Sequence, residues 1–108
     1  MTDAKMLVFT NAVEGRDDEF NKWYDTDHLA DILAIPGIES CTRYEIQPTT
    51  APGRADTTPT HRYLAVYELS EEPDVVMRGF QERAASGKLP LSSALDARSM
   101  AMQVWRAR

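Results

Sequence analysis

The sequence predicts an α+β fold: four strands and two helices in the order β-α-β-β-α-β, arranged as a four-stranded antiparallel sheet with both helices on one face. Three observations predict it. Short apolar or alternating runs at 5–10, 38–46, 62–69 and 99–105 have the length and period of strands. Two longer stretches, 18–37 and 70–87, carry apolar residues at helical spacing between a start signal and a Gly stop. The only long stretch with neither period, 47–61, falls between the second and third strands, where a hairpin connection can absorb it.

The first strand is KMLVFT, an apolar run bounded by polar residues, and Asn11 to Gly15 forms the turn after it. Asp17 or Asp18 caps the first helix, where acidic side chains suit the positive end of the dipole. Phe20, Tyr24, Asp27 or His28, and Ile32 then recur at helical spacing, as do Phe20, Trp23, Asp27 and Ala30, and Pro36-Gly37 stops the run. From Ile38 to Ile46 the chain alternates, with Ile38, Ser40, Thr42, Tyr44 and Ile46 expected on one face and Cys41 and Arg43 on the other. Residues 47–61, rich in Pro and Thr, read as a long loop and a candidate lid. RYLAVYEL is the clearest strand, with Tyr63 and Tyr67 on one face. Ser70 to Pro73 opens the second helix with a capping serine, Val76, Phe80 and Ala84 mark its apolar stripe, and Gly87 closes it. A short helical turn is expected at 91–95, and SMAMQVW is the last strand. The pattern is the split βαβ or ferredoxin-like one. Strands one, three and four are apolar on both sides, so the face without helices needs a cover, and a second copy of the chain is the economical one.

Composition narrows the function classes. At 108 residues with 43% apolar content the chain reads as one globular domain, 1–108. Its net charge of -5 and pI near 4.9 argue against nucleic acid as a partner. Cys41 is the single cysteine, which excludes an internal disulfide and a cysteine-based zinc site. Neither a signal peptide nor an apolar run long enough to span a bilayer is visible, so no membrane is expected and the cytoplasm is the natural location. The two histidines, His28 and His61, show neither HxH nor HExxH spacing, so no metal is expected.

The chemistry concentrates in the first helix. Tyr24 and His28 stand four residues apart, one above the other. A histidine can exchange a proton near neutral pH, and a tyrosine beside it can donate to a developing oxyanion. Asp25, three residues before His28, or Asp31, three after, would orient the imidazole. The plainer reading has His28 bracing the helix end and Tyr24 as half-buried filling. Phe20 and Trp23 serve as core, and equally as pocket wall. Asn11 either points its amide at a ligand or is a turn residue. Tyr44, Tyr63 and Tyr67 line a cavity or a dimer interface if Tyr44 shares their face.

With these residues in place, the segment EFNKWYDTDHLADILAIPGI followed by a strand ending in RYE resembles the dimeric α/β-barrel superfamily, and within it the EthD-like branch. The matching positions are Trp23, Tyr24, His28, Pro36 and Gly37. The resemblance implies a homodimer packed sheet to sheet into a barrel, with a cavity between sheet and helices in each subunit. It implies little about reaction, because such proteins act as cofactor-free monooxygenases, haem-degrading oxygenases, cyclases and isomerases. The haem-degrading members use a histidine late in the chain, and residues 62–108 have none. The expectation is a small-molecule-binding protein acting without cofactor on an aromatic or polyketide-like compound. His28 would be the acid/base, Tyr24 the hydrogen-bond donor and Asp25 the orienting group, with Asn11, Phe20, Trp23, Tyr44 and Tyr67 around the ligand. A non-catalytic binding or stress-associated dimer is the alternative.

Overall fold

The computed structural model describes residues 3–47 and 60–108. In chain order it holds β1 (Ala4–Thr10), then one helical run made of α1 (Asp17–Trp23), a π-helical turn (Tyr24–His28) and α2 (Leu29–Leu33). β2 (Ile38–Glu45), β3 (Tyr63–Leu69), α3 (Pro73–Ala85), a 3-10 turn (Ala97–Ser99) and β4 (Ala101–Arg106) follow. The strands form one sheet of order β2-β3-β1-β4 with every pairing antiparallel. This is the ferredoxin-like α+β arrangement. Residues 48–59, and with them most of the expected loop and lid, lie outside the described residues.

The alternation in β1 and β3 assigns the two faces. Met6, Val8 and Thr10 on β1, with Tyr63, Ala65, Tyr67 and Leu69 on β3, are buried on the helix side. They meet Phe20, Tyr24, Ile32, Ile35 and Val76 in one core. The opposite face carries Leu7, Phe9, Leu64 and Val66, all half-buried, beside Trp105 and Tyr44, which are 60% and 52% exposed.

Several boundaries differ from the sequence expectation for local reasons. Arg16, not an aspartate, occupies the N-cap of α1. Asp17 is already helical and its carboxylate accepts from the Tyr63 hydroxyl at 2.6 Å. Glu72 is the N-cap of α3 and Pro73 its first residue, while the backbone N–H of Ser70 is committed to Gly37 O at 2.8 Å. Ala84 is exposed, so the buried stripe of α3 is Val76 with a half-buried Phe80. The helical turn expected at 91–95 sits instead at Ala97–Ser99, because Leu95 bridges to Ala12 and the N–H of Val13 donates to Ala94 O at 2.7 Å.

The largest correction concerns β2. A register shift between Ile38 and Ser40 sends Ile38 toward the helices opposite Leu69, and places Ser40, Thr42 and Tyr44 on the open face. Tyr44 pairs with Leu64, so it does not share a face with Tyr63 and Tyr67. Cys41 and Arg43 face the helices, opposite Tyr67 and Ala65. At the turn before β2, Gly37 has φ 94, and a Cβ there would lie 2.8 Å from Glu71 Cβ and 2.9 Å from Val76 Cγ2. Glycine is required by conformation and by space alike.

Candidate functional site

The π-helical turn shapes the site. Such turns occur mostly as single insertions in α-helices and often at functional positions. Its local chemistry is visible at Thr26, whose hydroxyl donates to Lys22 O at 2.6 Å. That bond takes up a carbonyl the α-helical ladder would use, as Ser and Thr do where they bend helices. The widened turn brings residues five apart together. Trp23 and His28 stack at 4.5 Å with their planes 27° apart, and Tyr24 meets His28 edge-on at 4.7 Å. Phe20 lies against Trp23, Tyr24 and Tyr63.

Between this run, α3 and the sheet lies a cavity of about 170 Å³, a size at which apolar cavities take benzene-sized ligands. Val8, Phe80, Leu89 and Met102 supply apolar wall, and Tyr24, His28 and Tyr67 the polar groups. The Tyr24 and Tyr67 hydroxyls are hydrogen-bonded to each other at 2.6 Å. One proton lies between them, which leaves the pair one further hydroxyl proton to donate, with the Cys41 sulfur as a neighbouring acceptor. His28 is only 9% exposed, and its Nδ1 is sealed from solvent with no hydrogen-bond partner among the described residues. A larger open groove of about 720 Å³ crosses α3 between Pro36 and Lys88, but its wall holds neither histidine nor tyrosine.

Burial sets the ionisation of the group. It lowers the His28 pKa to about 4, with Asp31 opposing and Arg43 reinforcing the shift. It pushes the Tyr24 hydroxyl up to about 12 against the hydrogen bond from Tyr67, and raises Tyr67 further still. The Cys41 thiol, hydrogen-bonded to Tyr67, is raised by burial as well. At pH 7 the imidazole, both phenols and the thiol are therefore uncharged. His28 can accept a proton or a hydrogen bond there, but the imidazolium needed for a general acid is scarcely populated. This replaces the near-neutral pKa expected from the sequence.

The structure separates the sequence candidates. Tyr24, His28 and Tyr67 converge on the cavity, and Phe20 and Trp23 back them from the helix. Asp25 does not orient His28. Its carboxylate accepts from the Arg43 guanidinium at 2.9 Å, because α-helical i−3 spacing fails inside the π turn. Asn11 spends its amide on the chain: Nδ2 donates to Thr60 O and Oδ1 accepts from the Arg62 N–H, both at 2.8 Å. Tyr44 sits on the far face of the sheet.

Arg43 was not among the sequence candidates. Its guanidinium lies 4.3 Å from the Tyr24 ring centroid, and within 5.6 Å of the Phe20 and Tyr63 rings. Asn21 Oδ1 accepts from it at 2.9 Å beside the Asp25 bond. The alternation of β2 places Arg43 on the face of Cys41, and that was the available signal; nothing in the spacing showed three rings closing on it. Among the described residues no group of three or more His, Cys, Asp or Glu could hold a metal ion, and no helix is long and apolar enough to cross a membrane.

Neither a family model nor a curated protein matches the chain. Among solved structures it is similar to the crystal structure of an ethyl tert-butyl ether D (EthD) family protein from Bacillus halodurans C-125, with a TM-score of 0.65 and 14% identity over 100% of both chains. At that identity the likeness establishes a shared fold, in agreement with the resemblance carried by Trp23, Tyr24, His28, Pro36 and Gly37.

Proposed function

We propose that the chain binds a small, largely apolar, oxygen-bearing molecule in the cavity beside His28 and moves a proton on it without a cofactor. The observation that carries this reading is a nearly buried, neutral histidine next to a hydrogen-bonded tyrosine pair on the wall of an apolar cavity. Perturbed ionisable groups in a cleft are the usual mark of a functional site. The roles follow from the ionisation. Neutral His28 takes a proton from the ligand, and Tyr24, protonated at pH 7, holds the oxygen on which negative charge develops. Return of that proton to another position of the ligand completes an isomerisation in which no atom is gained or lost. Phenols, quinones and unsaturated ketones fit the size and polarity of the cavity.

The working unit in this reading is a homodimer joined through the open sheet face. Leu7, Phe9, Leu64, Val66 and Trp105 form an apolar surface there, and such surfaces on small domains mark interfaces. The test of the site is a panel of phenols, quinones and unsaturated ketones offered to the wild type and to His28→Ala. Turnover or binding lost in the variant supports the proposal. Equal turnover by both proteins on every active compound overturns the role of His28.

A further inference from the structure

The Arg43 guanidinium stands behind the cavity rather than in it. It belongs to the wall of a separate surface pocket with Asn21, Asp25 and Tyr63, and the Tyr24 ring lies between it and the cavity. Its side chain is only 14% exposed, its Nε is buried with no partner among the described residues, and both terminal nitrogens are fixed, one by Asp25 and one by Asn21. A brace between helix and strand would need only the two anchored nitrogens. Those two bonds also hold the guanidinium 4.3 Å from the centre of the Tyr24 ring, with Nε left buried beside it, so the charge is kept against the phenol instead of turning to solvent.

We propose that Arg43 is the positioning residue of the cavity: its charge, held over the face of Tyr24, draws electron density from the phenol and makes the Tyr24–Tyr67 pair a stronger donor to an electron-rich oxygen. The ligand class that follows is compounds offering a carbonyl or phenolate oxygen as acceptor; amines and other cations are disfavoured by the same positive field. The inference rests on the cavity being the ligand site. A cation over an aromatic face is attracted by the ring quadrupole, more so when desolvated, and a positive charge beside a phenol favours its deprotonated form, which makes the hydroxyl more acidic and a stronger donor. The same field reaches His28. The charged and titratable groups around that imidazole are Asp31 on its own helical run, Arg43 from β2, and the hydroxyls of Tyr24 and Tyr67 on the cavity wall.

The experiment uses Arg43→Met and Arg43→Gln as neutral variants and Arg43→Lys to restore the charge. The first readout needs no ligand: the His28 imidazole titration by NMR. With the fold intact by circular dichroism, both neutral variants should titrate at higher pH than the wild type and Arg43→Lys close to it. No movement in a folded neutral variant overturns the proposal. The second readout is binding of 4-nitrophenolate and of nitrobenzene as its counterpart without the acceptor oxygen. The neutral variants should bind 4-nitrophenolate about tenfold more weakly and nitrobenzene as before, about the effect of one charge-assisted contact. Equal losses for both probes would make Arg43 a brace and overturn the proposal. If the wild type binds neither probe, it is the cavity reading that falls, and the His28 titration still decides whether Arg43 acts on the site.

Discussion

Holding His28 neutral in the core makes folding stability depend on pH in a defined window. The side chain titrates near 6.5 in an unfolded chain and near 4 in the folded one. Below 6.5 the unfolded chain binds a proton that the folded chain refuses until about pH 4. The contribution of neutral His28 is therefore complete above pH 6.5 and lost as pH falls toward 4. The gap of 6.5 to about 4, at 1.36 kcal/mol per pH unit, comes to about 3 kcal/mol. Against a typical stability of about 5–15 kcal/mol this is a large share. The perturbation is His28→Gln, which keeps a polar planar group but cannot titrate. Urea unfolding of both proteins at intervals from pH 7.5 to pH 4 isolates the effect, since other acid-sensitive groups cancel in the difference. The wild type should lose about 3 kcal/mol more than the variant across that range. A difference that stays flat with pH would show that His28 titrates alike in both states, and the account of a desolvated imidazole would be refuted.

Two further outcomes follow from the same geometry. Trp105→Lys adds a charge on the edge strand of the open sheet face, where Trp105 is 60% exposed and lies across from Lys5; light scattering at matched concentration should show a monomer in place of a dimer with circular dichroism unchanged, and a wild type that is itself monomeric would sink the sheet-to-sheet reading. Gly37→Ala meets both a φ of 94 and contacts of 2.8 and 2.9 Å with Glu71 and Val76; it should cost about 2 kcal/mol or more in denaturant unfolding, where an effect below about 0.5 kcal/mol would mean the turn relaxes freely.

What the sequence revealed and what it hid divide along physical lines. β1 and β3 were legible because each is a short run of strand-forming residues, apolar on both faces, and both are central in the sheet, with Met6, Val8, Tyr63, Ala65 and Tyr67 buried on the helix side. The Pro36-Gly37 stop was legible because the left-handed φ of Gly37 is a local demand with a local residue type to meet it. The convergence of Tyr24 and His28 was legible because four-residue spacing survives the wider turn. What failed, failed where geometry departs from its nominal period. One register shift after Ile38 turned Tyr44 to the opposite face, and five residues of π-helix moved Asp25 away from His28 and onto Arg43. Neither irregularity has a period to read. The Thr26 hydroxyl that marks the π turn is indistinguishable, in a string of letters, from an ordinary helical threonine. The depressed basicity of His28 escaped for a related reason, since it arises from burial by Trp23, Tyr24 and the cavity wall, which only the assembled layers create. The same two irregularities build the site. The π turn stacks His28 under Trp23, and the shift in β2 delivers Arg43 to the face of Tyr24. A change that restored regular α-helix at Tyr24–His28 would separate those partners while leaving the sheet untouched, so the polar chemistry of the cavity depends on the two places where the backbone breaks its period.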